Sequence, residues 1–261
     1  MHYTNFISHL FEKITHCAFP RKIQVFINRT YVKFFGINME EFDTLESYPT
    51  LNALFTRSFV KQREFDKTTT TMIAPCDSLI MEFGECQNDL AMQIKGKAYA
   101  ISDFVTKNLE DGFFYINFYL SPKDYHRFHA PINLKVKSVN FINGMLLPVH
   151  RKSLEKNDNL FNKNKRVVLE CIDDFENPFY LVAIGALNVG RIQIHIIPEI
   201  VNLKENKSFI FKESYLLKKG DEIGCFEMGS TIVVLSKNWE YSIKNKEKIH
   251  FGECIGSYKR G

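Results

Sequence analysis

The N-terminal part of the chain carries apolar residues at the spacing of amphipathic helices. Two sets recur at steps of three and four residues: Phe6, Ile7, Leu10, Phe11 and Ile14, then Ile23, Phe26, Ile27, Tyr31, Phe34 and Phe35. The pattern predicts two helices, the second of which ends at Gly36, and a third, short helix after Pro49 with Thr50 near its N-terminal cap. These helices either cover the core or lie in a membrane interface, and the two interpretations are compatible.

From residue 70 onwards the pattern changes to short runs of β-branched and aromatic residues. The predicted strands are 113–120, 134–142, 166–172, 179–186, 190–197 and 230–235. Turn residues separate these runs, and the polar stretch 153–165 predicts a mobile loop. We therefore expect an α+β protein, in which N-terminal amphipathic helices (1–60) pack on a mainly antiparallel, sandwich- or barrel-like β-domain (61–261).

The composition narrows the class of protein. Hydrophobic residues make up 45% of the chain and 24 residues are phenylalanine, which is ample material for a globular core. The formal net charge of +4 is too small to indicate a nucleic-acid partner, although it is compatible with an anionic lipid surface. No apolar run is long enough for a transmembrane helix and no secretory signal is evident, so we expect any membrane role to be peripheral. The six cysteines form no CxxC pair, which indicates reduced thiols.

Four stretches contain residue types that catalysis uses. Asp77 lies in "APCDSL", and "SPKDYHRFHAP" carries His126 and His129. The glycines of "VAIGALNVGRI" lack the spacing of a phosphate-binding loop, and in "GCFEMGSTIVVL" Gly229 precedes Ser230 at the start of a predicted strand. Taken alone, these are a turn aspartate, two loop histidines, a hairpin and a strand serine. No carboxylate or cysteine completes a zinc site around the histidine pair.

The Gly229–Ser230 dipeptide has a sharper explanation if the serine attacks its own backbone. The hydroxyl would add to the preceding carbonyl, and glycine at that position removes the Cβ that would block the approach. The resulting ester can undergo β-elimination, which breaks the chain and leaves dehydroalanine, and hydrolysis converts this residue into a pyruvoyl group. Each step needs a proton acceptor, and a histidine oriented by an aspartate commonly makes a serine nucleophilic.

Together these stretches resemble the phosphatidylserine decarboxylases, pyruvoyl-dependent proenzymes of the prokaryotic type. The matching segments run in the family's order: "FTRSF" (55–59), "PCDS" (75–78), "YHRFHAP" (125–131), "VAIGALNVGRI" (182–192) and "KKGDEIGCFEMGSTIVVL" (218–235). The resemblance implies a self-cleavage triad of Asp77, His129 and Ser230, in which Ser230 becomes the pyruvoyl group. It also implies that His126 transfers a proton during decarboxylation.

The resemblance further implies the reaction and its setting. Phosphatidylserine would lose CO2 to give phosphatidylethanolamine, through a Schiff base with the pyruvoyl group and without a metal or PLP. Cleavage between Gly229 and Ser230 would leave a β-chain (1–229) and an α-chain (230–261) associated as a heterodimer, with a dimer of these as a further expectation. Because the substrate is a membrane phospholipid, we expect a peripheral protein at the cytoplasmic side of the cell membrane, docked through its N-terminal helices.

Two positions depart from the family pattern, and two other functions stay open on the residues alone. Ser78 stands where glycine is usual, and Met228 stands where leucine is usual, a change that conserves volume. One alternative is a pyruvoyl enzyme that acts on a soluble amino acid. The other is a non-catalytic, β-rich peripheral membrane module in which Ser230 is merely a strand residue.

Overall fold

Strands dominate the secondary structure of the part of the chain that is described. The computed structural model describes residues 13–94, 96–187, 191–227 and 230–259. The helices are α1 (Arg21–Phe35), α2 (Leu51–Phe55), α3 (Ile101–Val105), α4 (Arg151–Lys156) and α5 (Leu160–Lys163). The strands are β1 (Thr71–Ile73), β2 (Ser78–Glu85), β3 (Leu90–Ile94), β4 (Lys97–Ala100), β5 (Phe114–Leu120), β6 (Arg127–His129), β7 (Leu134–Ile142), β8 (Arg166–Asp173), β9 (Pro178–Ile184), β10 (Ile192–Ile194), β11 (Lys207–Leu217), β12 (Glu222–Phe226), β13 (Ser230–Ser236), β14 (Trp239–Tyr241), β15 (Lys248–Ile249) and β16 (Cys254–Tyr258).

An antiparallel sheet of eight strands forms the centre of the fold, in the order β11-β7-β8-β9-β13-β5-β2-β15. Strand β13 lies inside this sheet and pairs with β5 on one side and β9 on the other. Every residue of β13 is buried, and its apolar run Ile232–Leu235 is typical of a strand that is covered on both faces. The start of β13 is therefore held in place by hydrogen bonds to two neighbours.

Smaller sheets surround the central one. Strands β10, β12 and β6 form one sheet in that order, β1, β16 and β14 form another, and β3 pairs with β4. Strand β12 ends at Phe226 and β13 begins at Ser230, so the chain passes from one sheet to another across Glu227, Met228 and Gly229. Met228 and Gly229 lie outside the described residues. The predicted cleavage position is thus a short connection between two sheets.

The predicted fold class is confirmed, with one difference. The protein is α+β, and the strand pairs are mainly antiparallel. The central sheet stays open between its edge strands β11 and β15, and the described strands form no closed barrel.

The helix predicted after Pro20 is confirmed as α1, and two polar residues lie on its inward side beside half-buried Tyr31. Gly36 ends the helix at a φ of 63°, a left-handed conformation that glycine adopts without strain, and its N–H donates to a carbonyl of the last turn. Gln24 and Asn28 are buried, and the Asn28 amide donates to the carbonyls of Leu45 and Tyr48 at 3.0 Å each. Nε2 of Gln24 in turn donates to Oδ1 of Asn28 at 2.8 Å, so the two buried amides are hydrogen-bonded to each other and to the later segment.

Part of the apolar surface of α1 is exposed, although Tyr31 packs against the main core. Phe26 is 70% exposed, Phe34 is 79% exposed and Ile23 is also exposed. Phe19 and Ile14, which precede the helix in the sequence, are also exposed. Most of the first predicted helix lies outside the described residues. Its last part, residues 13–16, is described and is helical. The short helix after Pro49 is confirmed as α2, and the Thr50 side chain accepts a hydrogen bond from the N–H of Ala53 at its N-terminus.

The prediction of a mobile loop at 153–165 is wrong. The segment contains the C-terminal part of α4 and all of α5, and Leu154, Leu160 and Phe161 join the main hydrophobic core. The buried side chain of Gln93 holds the segment through bonds to the carbonyl of Leu154 and the N–H of Leu160. The abundance of lysine and asparagine concealed three core positions, because the polar residues lie on the opposite surface.

Candidate active site

Ser230 begins β13 at a fully buried position. It lies opposite Leu120 of β5, so its backbone position is fixed by the central sheet. Its Oγ has no hydrogen-bond partner among the described residues. A buried hydroxyl without a partner is costly and uncommon, and such groups occur at sites of strain or catalysis. Gly229, the other member of the predicted cleavage site, lies outside the described residues.

His126 is also fully buried, and one of its ring nitrogens has no partner in the described part of the chain. Its Nδ1 donates to the carbonyl of Asp124 at 2.7 Å, and its ring packs on Phe55 with 3.9 Å between centroids. Because Nδ1 carries the proton, Nε2 presents a lone pair, and this atom is buried without a partner. Burial, followed by the positive charge of Arg57, lowers the pKa of His126 well below its usual value. The resting imidazole is therefore neutral and can accept a proton at Nε2.

His129 ends β6 and has both ring nitrogens occupied. Its Nδ1 donates to the carbonyl of Gly220 at 3.0 Å, and the hydroxyl of Tyr125 lies 3.1 Å from Nε2, to which it donates. The ring stacks on Phe251 with centroids 3.8 Å apart. Burial lowers the pKa of His129 to about 4. Like His126, this histidine is a neutral base at neutral pH, with Nε2 as the accepting atom.

Asp77 lies beside His129 but binds other groups. Arg63 donates to its carboxylate with both terminal nitrogens, at 2.5 and 3.1 Å, and the N–H of Phe251 donates to Oδ1 at 2.8 Å. Nδ1 of His250 lies 3.6 Å from Oδ2. Among the described residues no hydrogen bond joins Asp77 to His129. The two residues instead meet at Phe251, which donates its N–H to one and stacks its ring on the other.

A turn with an unusual backbone conformation supplies the carbonyl that holds His129. Gly220 has a φ of +86°, and a Cβ at this position would stand 2.1 Å from the ring of Phe65. Only glycine fits there, and its N–H donates to the carbonyl of Ala130, directly after His129. A cavity of about 290 Å³ opens beside this turn and is lined by His129, Tyr125 and Gly220. The site is thus reachable from the surface next to the second histidine.

The predicted site residues fall in two places in the structure. Asp77 and His129 surround Phe251, whereas His126 and Ser230 adjoin the connection from β12, where the N–H of Phe226 donates to the carbonyl of His126 at 2.9 Å. Sequence reasoning assigned no role to three residues that hold this site, listed here: Arg57, Arg63 and Tyr125. Arg57 and Tyr125 belong to the quoted segments "FTRSF" and "YHRFHAP". Their place in these motifs was the sequence feature that could have indicated a role in the site.

Two further features of the described residues bear on function. Residues 13–94, 96–187, 191–227 and 230–259 contain no cluster of three or more His, Cys, Asp or Glu residues placed to hold a metal ion. Within the same ranges no helix has the length and apolar character needed to cross a bilayer.

Comparison with known proteins identifies the class. The profile of the family described as "Phosphatidylserine decarboxylase" matches residues 51–257. A phosphatidylserine decarboxylase proenzyme of Helicobacter pylori (strain Shi470) is 45% identical over 98% of this chain and 97% of its own length. The proenzyme of Campylobacter jejuni is 40% identical over 95% and 97%, and that of Plasmodium knowlesi is 34% identical over 95% and 77%.

These similarities make the protein an enzyme of the carbon–carbon lyase class, a decarboxylase. The chain belongs to the phosphatidylserine decarboxylase family. The resemblance that the sequence motifs indicated is thereby confirmed, and the interpretation as a non-catalytic membrane module is wrong.

Proposed function

We propose that this decarboxylase converts phosphatidylserine to phosphatidylethanolamine and CO2, with a pyruvoyl group that it makes by cleaving itself between Gly229 and Ser230. The observation that carries the proposal is the hydroxyl of Ser230, which is buried at the start of a central strand and has no partner among the described residues. The names of the similar proteins, phosphatidylserine decarboxylase proenzymes, support both the substrate and the processing.

The surroundings of Ser230 fit a pyruvoyl group. The residue is completely buried, and its Oγ has no described partner that would have to be given up when a ketone replaces the hydroxyl. Its position in β13 also keeps the newly formed terminus between two strands after cleavage. The pyruvoyl ketone would condense with the substrate amine and accept the electrons that CO2 leaves behind. This chemistry needs neither a metal nor PLP.

In the proposed self-cleavage, His129 is the base and Ser230 the nucleophile. The Oγ–C bond to the Gly229 carbonyl forms, the C–N bond breaks, and the hydroxyl proton passes through Nε2 of His129 to the released amine. Elimination then removes the Cα proton of residue 230 and breaks its Cβ–O bond, and water replaces ammonia to leave the ketone. The lowered pKa of His129 keeps Nε2 free of a proton at neutral pH. Tyr125 must release Nε2 before it can accept one.

Asp77 would act on this base through its neighbours. Its carboxylate accepts hydrogen bonds from Arg63 and from the N–H of Phe251. The ring of Phe251 in turn stacks on the ring of His129. A negative charge at that position favours the imidazolium that forms when the serine proton is taken up, and Asp77 is among the groups that raise the pKa of His129. This arrangement supports the predicted role of Asp77 in self-cleavage.

In turnover, His126 would move the proton that decarboxylation requires. Its neutral resting form, with a bare and buried Nε2, can take a proton from the substrate ammonium group. The same atom can then return that proton to the carbon from which CO2 has departed. Burial excludes water that would otherwise compete for these transfers.

The N-terminal region, residues 1–60, would bring the enzyme to its lipid substrate. Phe26, Phe34 and Ile23 of α1 are exposed on one side of the helix, while Arg21 and Lys22 stand at its start. Exposed aromatic residues next to basic ones are typical of helices that lie in the membrane interface. We therefore propose a peripheral location at the cytoplasmic side of the cell membrane, with residues 61–261 as the catalytic region.

After cleavage the two chains would remain together as a heterodimer. The α-chain (230–261) begins with β13, which is hydrogen-bonded between β5 and β9 of the β-chain (1–229). Its last strand, β16, pairs with β1 of the β-chain. A dimer of heterodimers stays a prediction from the resemblance.

Intact-mass analysis of purified protein tests the proposal. We expect two masses, of which the smaller corresponds to residues 230–261 with a carbonyl that reacts with hydrazine. Ser230→Ala should give one continuous chain without activity, whereas Ser257→Ala, an exposed serine in the same fragment, should be cleaved normally. Assays with phosphatidylserine in vesicles and with free serine separate lipid from soluble substrates. An active protein with an uncleaved chain would refute the pyruvoyl mechanism.

A further inference from the structure

A buried carboxylate stands directly before the proposed cleavage site. Glu227 follows the last residue of β12 and is only 6% exposed. The two residues between it and Ser230 lie outside the described ranges. A carboxylate is expensive to bury unless charged or hydrogen-bonding partners surround it. The burial of Glu227 at this connection therefore requires stabilising partners and suggests a role beyond packing.

Three side chains surround the Glu227 carboxylate. Nε2 of Gln193 donates to Oε1 at 2.6 Å. Nε of Arg191 lies 3.2 Å from Oε2, and Nε2 of His16 lies 3.0 Å from the same oxygen. The backbone N–H of Glu227 also donates to the carbonyl of Arg191 at 3.2 Å. Main chain and side chain of Glu227 are thus both attached to the segment 191–193.

These contacts hold the N-terminal flank of the cleavage site, and the central sheet holds the C-terminal flank. Gln193 lies opposite Cys225 in the β10–β12 pair, so the segment that binds Glu227 is itself part of the smaller sheet. Ser230 is fixed by β5 on the other side. Attack of Oγ on the preceding carbonyl needs the two atoms at close range and at a defined angle. That angle depends on how the two flanks are held relative to each other.

We propose that Glu227 is a positioning residue for self-cleavage, which holds the segment before Gly229–Ser230 in the geometry of attack. The inference rests on the self-cleavage proposed above. Through His16, the same carboxylate ties the N-terminal segment to the cleavage site, so the seating of that segment contributes to the rate of maturation. Glu227 touches none of the proposed reacting atoms and acts through the backbone that it anchors.

Fold stability alone gives a weak reason for this buried charge. Replacing a buried ion pair by uncharged groups of similar shape is often neutral for stability. Glutamine has nearly the same shape as glutamate. Because its amide is uncharged, it would bind Gln193 and the two basic side chains more weakly than the carboxylate does. A positioning role predicts slow cleavage in a folded protein, whereas a purely structural role predicts loss of folding and cleavage together.

The experiment follows self-cleavage in time in full-length protein made in a cell-free pulse-chase, with denaturing gels to separate cut from uncut chains. Glu227→Gln should slow cleavage by about tenfold or more, and Glu227→Asp should recover part of the rate because its charge is retained. His16→Ala should give a smaller reduction. Glu213→Gln, at an exposed position of β11, is the matched control and should cleave at the normal rate. A thermal melt of each uncut chain reports folding.

A second variant keeps the test decisive if Glu227→Gln does not fold. Gln193→Ala removes the donor to Oε1 from a half-buried position and should also slow cleavage several-fold. Normal cleavage in a folded Glu227→Gln, or normal cleavage in Gln193→Ala where Glu227→Gln does not fold, overturns the positioning role. If the unchanged protein itself is active without cleavage, the proposed function fails instead, and the two failures are distinguishable.

Discussion

Arg57 and His126 donate to the same backbone oxygen, the carbonyl of Asp124. Nη2 of Arg57 lies 3.2 Å from this oxygen and Nδ1 of His126 lies 2.7 Å from it. Arg57 is 2% exposed, and no carboxylate of the described residues lies within ion-pair distance of it. Its guanidinium instead lies over the ring of Phe42 and bonds backbone carbonyls. A buried cation thus shares a carbonyl with the proposed proton carrier and helps to keep it neutral.

Arg57→Gln should raise the pKa of His126, because it removes a positive charge that opposes protonation of the ring. The low-pH limb of the kcat profile, where protonation of His126 removes the proton acceptor, should move to higher pH. Turnover should fall about tenfold, since a hydrogen bond to the Asp124 carbonyl is also lost. Arg57→Lys retains the charge and should leave the position of the limb nearly unchanged. If the low-pH limb does not move in Arg57→Gln, the charge of Arg57 does not control the pKa of His126.

His126→Ala should divide maturation from turnover. In our proposal only decarboxylation uses Nε2 of this residue, an atom that is buried and has no partner among the described residues. We expect normal cleavage between 229 and 230 but a kcat about 10²- to 10⁴-fold lower, the usual contribution of a positioned acid–base group. His150→Ala, at an exposed position, is the control. A variant that fails to cleave would assign His126 to maturation as well.

The pH dependence of self-cleavage should follow His129. Burial lowers its pKa to about 4, so Nε2 stays unprotonated as the pH falls from 7 to 5. The cleavage rate should therefore stay nearly constant over that range and decline as the pH approaches about 4. Rapid quenching of freshly translated chains at each pH gives the rate. A decline centred near the ordinary histidine pKa of about 6.5 would contradict the buried geometry.

Fold stability should respond to pH in a different window. A histidine whose pKa is lowered in the folded state binds fewer protons there than in the unfolded chain. The free energy of unfolding should therefore decrease as the pH falls through about 6.5, where the unfolded chain takes up protons, and continue to fall towards about 4. His126 adds to the same effect because its pKa is lowered too. Chemical denaturation of Ser230→Ala, which stays in one piece, measures this slope without interference from cleavage.

The exposed side of α1 should control binding to vesicles. Phe26→Ser combined with Phe34→Ser removes two rings that would enter the interface, and we expect at least about tenfold weaker co-sedimentation with phosphatidylserine vesicles. Ile210→Ser, an equally exposed apolar residue on the edge strand β11, is the control and should bind normally. Equal loss in both variants would show that general surface hydrophobicity, and not α1, drives binding.

The sequence patterns predicted which segments form helices and strands better than they predicted which side of each element is buried. The apolar run Ile232–Leu235 predicted a buried strand because both faces of β13 are covered. The helical period was less informative for α1, where the buried Asn28 amide donates to two carbonyls of a later segment and Gln24 donates to Asn28. Such partners are set by the tertiary fold, and the helical period does not record them.

The sequence motifs name candidate site residues, but they do not give the contacts of those residues. The motifs name Asp77 and His129, yet the partner of Asp77 is Arg63 and the carbonyl that orients His129 belongs to Gly220. Gly220 lies far away in the sequence, and its positive φ becomes meaningful only when Phe65 packs against it. Local spacing contains no information about such pairs.

The central location of β13 also bears on how long a mature molecule survives. Strand β13 has neighbours on both sides, so in the proposed self-cleavage it would be placed while the polypeptide is continuous and would stay there after a cut at its first residue. If the two chains dissociate on unfolding, refolding becomes a bimolecular reaction in which β13 must insert between two strands of the central sheet. Heating should consequently be reversible for Ser230→Ala and irreversible for the processed enzyme, whose lifetime is then a matter of unfolding rate and not of equilibrium.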